Sequence, residues 1–269
     1  MTENHTSSDQ GDLVLRSDPS MKIESRYLEL LKACLTRMLF MNDADGPNAK
    51  RLDEQREIRR RGWDWPDEAE TMVGMVRLGC IQECVETVLR DKIPGDLMEA
   101  GVWRGGAVIL MRGILAAHGV RDRKVWAADS FQGLPAPDGK DFTQDLTGDL
   151  SGYKELAVSL EQVKSNFARY GLLDDQVQFL EGWFKDTLPD APIDSLAVLR
   201  LDGDYYESTI QILETMYHKL SPGGFVIIDD YLHLDACRQA VTDFRTAFSI
   251  GEEIVEVDWN SVYWRRASS

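Results

Sequence analysis

Two rhythms of hydrophobic and polar positions divide the chain. From Met21 to Met41, apolar residues fall at Tyr27, Leu28, Leu30, Leu31, Cys34, Leu35, Met38 and Leu39. That is the spacing of an amphipathic helix. Thr71 to Leu89 reads as a second helix, with Met72, Met75, Val76 and Leu78 early in it. The stretch between them, 42–70, is polar. It carries a basic cluster from Arg56 to Arg61 and an aromatic knot, Trp63-Asp64-Trp65-Pro66. The cluster reads either as a solvated helix face or as a mobile lid over a site.

After residue 93 the pattern changes to short continuous apolar runs separated by helical stretches. Asp96–Gly101, Val125–Asp129, Val177–Glu181, Leu196–Leu201 and Phe225–Ile228 are the runs. Gly105–His118, Tyr153–Tyr170, Tyr206–Leu220 and Leu234–Phe248 are the helices, and 132–152 is a long polar loop. Short apolar runs bounded by Gly and Pro suit buried parallel strands joined by crossovers. Glu253–Val257 and Val262–Arg266 finish the chain around a turn at Asp258-Trp259-Asn260-Ser261. The organisation predicted is a disordered arm at 1–20, N-terminal helices and a lid at 21–92, and an α/β domain at 93–269. No internal repeat is present.

Two of these runs end in acids. Leu196–Leu201 is followed by Asp202-Gly203-Asp204, and Phe225–Ile228 by Asp229-Asp230-Tyr231. Parallel strands put their carboxyl ends on one edge, where α/β sheets bind ligands. Four carboxylates should therefore converge, and their repulsion must be offset by a divalent cation, bound protons or basic neighbours. All-oxygen ligation suits a hard ion such as Mg²⁺. A single Asp at such a place is as readily a helix cap or a loop residue; two acidic pairs at two strand ends point to a site.

Composition narrows the partners. The chain has 269 residues, 43% hydrophobic and 28% charged, with a net charge of −16. That charge argues against nucleic acid and against an anionic membrane surface, and favours a small neutral or cationic ligand. No apolar run approaches the ~20 residues of a membrane span. The polar N-terminus is not a secretory signal. Four cysteines, Cys34, Cys80, Cys84 and Cys237, form no Cys-x-x-Cys pair and read as reduced thiols of a cytoplasmic protein.

The first apolar run ends Glu99-Ala100-Gly101-Val102-Trp103-Arg104-Gly105-Gly106 before a helix. A dinucleotide fingerprint needs Gly where this chain has Trp103. The acid at Glu99 would repel phosphate but suits an ammonium group. Asp129, at the end of the second run, is placed to bind ribose hydroxyls. A nucleoside carrying a cationic amino acid answers both demands, and S-adenosylmethionine is such a molecule.

With these residues in view, the chain resembles the macrocin-type sugar O-methyltransferases, which act on deoxysugars of macrolide and aminocoumarin antibiotics. The matching stretches are Trp65-Pro66, Thr71-Met72-Val73-Gly74, Glu99–Gly106, Asp129–Pro135, Glu181–Pro189, Leu201–Thr209 and Asp229-Asp230-Tyr231. They span about residues 60–266 in the same order. The resemblance implies a class I methyltransferase fold, Rossmann-like and seven-stranded with the last strand antiparallel, together with S-adenosylmethionine and Mg²⁺. It implies Asp202, Asp229 and Asp230 as metal ligands and Asp204 as general base. It places Met72, Glu99, Gly101, Asp129 and Ser130 in the cofactor pocket, with Gly182 and Trp183 near the adenine. It implies a glycosylated small-molecule acceptor and a homodimer. Glu70, where the family pattern has His, and Leu232-His233-Leu234 depart from the pattern near the expected acceptor pocket.

Other classes account for less. An Asp-x-Asp nucleotide-sugar glycosyltransferase explains Asp202-Gly203-Asp204 but neither Glu99-x-Gly101 nor Asp229-Asp230. A nicotinamide oxidoreductase is disfavoured by Trp103, and a silent scaffold leaves four acids without a purpose. A catechol O-methyltransferase is the nearest rival; the long N-terminal region and the Trp-Arg-Gly-Gly turn argue against it.

Overall fold

A computed structural model describes residues 19–41, 49–137, 139–140 and 142–267. The arm predicted at 1–20 lies almost wholly outside them. Helix α1 (Ile23–Leu35) and a 3-10 turn (Met38–Phe40) come first, then α2 (Ala49–Arg61) and α3 (Gly74–Arg90). The alternating part follows as β1 (Asp96–Ala100), α4 (Gly106–Ala117), β2 (Val125–Asp129), α5 (Leu160–Arg169), β3 (Val177–Glu181), a short α6 (Phe184–Thr187), β4 (Leu196–Leu201), α7 (Tyr206–Met216), β5 (Leu220–Ile228) and α8 (Asp235–Ala247). The strands β6 (Val255–Glu256) and β7 (Val262–Arg265) close it.

The seven strands form one sheet in the order β3-β2-β1-β4-β5-β7-β6. The first five are parallel, and β7 runs antiparallel to both its neighbours. The fold expected of a class I methyltransferase is present. Alternate residues of the buried strands feed two cores. Leu97, Val125, Ala127 and Val198 face α1, α3, α4 and α5, while Met98, Trp126, Ala128 and Leu199 face α7 and α8. Helix α4 is buried from Gly106 to Leu115 because α1 and α3 cover its outer side, which explains a sequence apolar all round. Among the described residues, no helix is long and apolar enough to cross a membrane.

Two elements depart most from the expected bounds. The helix expected over 153–170 is α5, starting at Leu160, because the Ser159 side chain accepts the N–H of Gln162 at 3.2 Å and caps it there. Strand β5 starts at Leu220 rather than Phe225, since the chain end pairs with its Gly223 and Gly224. The polar stretch holding Arg56–Arg61 is helical, as α2, in agreement with the helix-face reading of that cluster.

Candidate active site

The parallel strands end in a staircase. Gly101 N–H bonds Ala128 O, Asp202 N–H bonds Ala100 O, and Asp229 N–H bonds Leu201 O, each at 2.9 Å. This brings the ends of β2, β1, β4 and β5 to one edge, as the pattern of runs predicts. Two residues beyond Gly101, Asp129 and Asp202 stand Trp103, Phe131 and Asp204, all three with left-handed backbone, φ 46°, 56° and 57°. Side chains other than glycine hold such angles at a cost, and strain of this kind collects at functional sites. The glycines of the first turn serve chain packing. A Cβ on Gly101 would lie 1.8 Å from Asp202 O, and one on Gly106 would lie 2.5 Å from Glu70 O.

These edges floor a cleft of about 540 Å³. Met72, Glu99, Gly101, Asp129, Ser130, Trp183, Asp202, Asp204, Asp229 and Asp230 all line it. Gly182 stands one step behind the wall, where its N–H bonds Asp129 O at 2.9 Å. Of the two departures, His233 and Leu234 line the cleft. Glu70 does not; it is buried against Arg37, Arg169 and Tyr170. From the N-terminal part, Gly62, Trp65 and Arg77 reach the cleft, and Trp259 Nε1 donates to Arg61 O at 2.9 Å across it.

One of the acids expected to bind the cofactor, Asp129, is anchored by the backbone. Asp129 Oδ2 accepts Val102 N–H and its Oδ1 accepts Phe131 N–H, both at 2.8 Å. One carboxylate thereby clasps the turns after β1 and β2. Burial raises its proton affinity, and those backbone N–H groups work against the rise.

The acidic cluster is arranged more finely than its sequence suggests. Carboxylate oxygens of Asp202, Asp204 and Asp230 lie within 4.8 Å of one another. Asp229, beside this set, bonds two guanidinium groups, Arg200 at its Oδ1 (2.5 Å) and Arg77 at its Oδ2. Burial pushes the Asp229 carboxyl up, but Arg200 and Arg77 outweigh it and hold it below the ordinary range. Asp204 and Asp230 receive no such help. Burial and the neighbouring carboxylates push both well above the usual carboxylate range. Asp230 Oδ1 accepts from Asn260 Nδ2 at 3.2 Å, while its buried Oδ2 has no partner among the described residues.

Arg200 is fully buried and bonds Glu99, Asp202 and Asp229 together. Burial works against its charge, but Asp229, Asp202 and Glu99 more than restore it. Glu99 is pushed up to about 8, by burial first, with Arg200 opposing. Arg77 bonds Asp229 and Gly62 O, pairs with Asp258 at 3.1 Å and lies 5.5 Å over the Trp259 ring.

The match that decides the family spans nearly the whole described chain: the family model described as Macrocin-O-methyltransferase (TylF) matches residues 24–266. The chain belongs to the macrocin O-methyltransferase family. It is a S-adenosylmethionine-dependent O-methyltransferase. It is 51% identical over 257 residues to mycinamicin III 3''-O-methyltransferase of Micromonospora griseorubida, covering 93% of this chain and 99% of that one. It is 51% identical over 245 residues to demethyldecarbamoylnovobiocin O-methyltransferase of Streptomyces niveus, covering 90% and 94%. The solved structure of the O-methyltransferase NovP superposes with a TM-score of 0.85 at 50% identity, covering 91% of this chain and 99% of that one.

In this macrocin-family chain the two arginines are what the sequence reading passed over. Arg200 carried a signal: it is the one charge in the run Leu196–Leu201, and a charge in a buried strand needs partners. Arg77 gave none, for its partner Asp229 lies 152 positions away.

Proposed function

We propose that this enzyme methylates a sugar hydroxyl of a glycosylated natural product, with Mg²⁺ at the acidic edge. The observation that carries the reading is the charge balance there. Glu99, Asp202, Asp204, Asp229 and Asp230 face two buried guanidinium groups, and Asp230 Oδ2 is left without a partner. Basic neighbours therefore offset only part of the repulsion. An all-oxygen donor set with an orphan oxygen fits a hard divalent ion. Asp202, Asp229 and Asp230 would hold it. Asp229 has one hydrogen bond on each oxygen and a lone pair to spare, and the arginines behind it keep it ionised and oriented. The ion would supply charge stabilisation beside the acceptor oxygen.

The chain's own residues do the rest. Asp204, beside Asp202 and Asp230, accepts the proton of the acceptor hydroxyl. Glu99 and Asp129 hold the methyl donor; Glu99 Oε2 is buried with no partner, and an ammonium group would give it one. Trp65, Trp183 and Trp259 give the cleft apolar walls for the donor and acceptor to pack against. That the acceptor is a sugar follows the name of a relative 52% identical over 244 residues, a 4'-O-methyltransferase of a rhamnosyl-tetracenomycin from Streptomyces olivaceus.

A panel of glycosylated natural products and catechols, incubated with S-adenosylmethionine, tests the reading in two ways. Sugar-bearing compounds should gain the mass of one CH₂ unit in Mg²⁺, and the gain should vanish in EDTA and return with added Mg²⁺. Turnover of catechols alone, or full turnover in chelator with metal removal verified, would overturn it. The cofactor assignment has its own check. Asp129→Ala should weaken S-adenosylhomocysteine binding by about 1.5–3 kcal/mol, the scale of hydrogen bonds to a charged group. An unchanged calorimetric affinity would take Asp129 out of the cofactor site.

A further inference from the structure

Helix α7 starts two residues after Asp204, and its first turn is capped from far away. The local N-cap residue, Tyr205, makes no side-chain bond to the helix. Asp145, 61 positions earlier in the long polar loop, takes that place. Its Oδ1 accepts Tyr206 N–H at 2.6 Å and its Oδ2 accepts Glu207 N–H at 3.1 Å. Asp145 is 3% exposed, while its neighbour Leu146 is 54% exposed. Two more contacts join the same segments. Tyr205 Oη accepts Leu150 N–H at 2.8 Å, and the Phe142 and Tyr206 rings stand 5.7 Å apart.

A local Ser or Asp at the cap would satisfy these N–H groups as well. It would not hold the loop. Taking the cap from the loop binds residues 142–150 to the turn 204–207 as one unit. That turn carries Asp204 in its left-handed conformation, and the loop brings Leu150 to the cleft wall beside Glu207 and Ser208. We propose that Asp145 is a positioning residue, which ties the 142–150 loop to the Asp204 turn so that the acceptor wall and the proton-accepting carboxylate are set together. The proposal rests on the reading that the acceptor hydroxyl lies at Asp204. Glu99 and Asp129 belong to other strands and are held by bonds that do not involve Asp145.

The test compares Asp145→Ala and Asp145→Asn with the full-length enzyme in Mg²⁺. In Asp145→Ala, kcat should fall tenfold or more and the acceptor KM should rise severalfold. Affinity for S-adenosylhomocysteine should stay within twofold. Limited proteolysis read by mass spectrometry should show faster cutting between 142 and 153, with other sites unchanged. Asp145→Asn retains one acceptor oxygen and should recover at least a third of the lost kcat. Wild-type kcat in Asp145→Ala, or no change in loop cutting, would overturn the proposal. So would a loss in which cofactor affinity falls in step and Asn recovers nothing, since that is general damage to the fold. If the wild-type enzyme methylates no acceptor, the functional reading fails, while loop cutting still decides whether Asp145 holds the loop.

Discussion

Asp204→Asn is expected to lower kcat by on the order of 10²–10⁴-fold, the worth of a placed general base, with cofactor affinity kept. The substitution is clean for a structural reason. Asp204 has φ 57°, and Asn is one of the few side chains that tolerates the left-handed region as Asp does. The turn after β4 therefore survives, and what goes is the carboxylate. Asp204 sits with Asp202 and Asp230 within 4.8 Å, so the change also removes one charge that attracts a cation. The comparison that separates the two losses is a Mg²⁺ titration against Asp230→Asn. Among the described residues Asp230 Oδ2 has no partner and its Oδ1 bonds Asn260, so that variant loses cation attraction with little else disturbed. Added Mg²⁺ should restore part of its rate. In Asp204→Asn the same addition should leave most of the deficit, because the missing interaction belongs to the transition state. Higher pH should help Asp204→Asn instead, as hydroxide takes over the deprotonation. Full recovery of Asp204→Asn by Mg²⁺ would make Asp204 a metal ligand and leave the base to another group. Asp229→Asn is a poorer probe, since its new amide N–H₂ would face a guanidinium of Arg77 or Arg200.

The sheet was legible because buried parallel strands write themselves as short apolar runs. Residues 125–129, 177–181 and 196–201 are strands with the bounds their runs mark. The convergence of Asp202, Asp204, Asp229 and Asp230 followed from those strands alone. What escaped was held by contacts between distant positions. A helix at Arg56–Arg61 is one of the two readings of that cluster; what escaped is its anchor, Trp259, which bonds Arg61 O from the far end of the chain. Strand β5 gained its first residues through Gly223 and Gly224, which pair with Arg266. Asp145 looked like one more acid in a polar loop until its carboxylate was seen on the N–H groups of Tyr206 and Glu207. The division of labour inside the acidic cluster was equally hidden. Sequence sets two acidic pairs at two strand ends, and only the placement of Arg77 and Arg200 shows that Asp229 is held below the ordinary carboxylate range while Asp204 and Asp230 are pushed above it.

Arg200→Met should therefore be the most destabilising single change at this edge. Met has a similar length and packs well in a β-strand, so little volume is lost. The effect is electrostatic: Glu99, Asp202 and Asp229 lose the guanidinium they share. Removing one side of a buried ion pair costs about 3–5 kcal/mol. For a chain of this size that is a fall in Tm on the order of 10 °C. Asp229 keeps Arg77, so the loss falls on Asp202 and on Glu99, whose carboxyl loses the group that opposes its raised proton affinity. Adding Glu99→Gln to Arg200→Met should then raise stability above that of the single variant, although two native groups are now gone. Loss by packing predicts the opposite, a double variant weaker than either single one. Urea denaturation of the wild type, both single variants and the double variant gives the coupling directly. An Arg200→Met enzyme as stable as the wild type would show that the acids at this edge are held apart by something other than the buried guanidinium. Lys is the informative last substitution. It restores one positive charge but only as a point, without the fork that reaches Glu99, Asp202 and Asp229 at once. Arg200→Lys should fall between Met and the wild type.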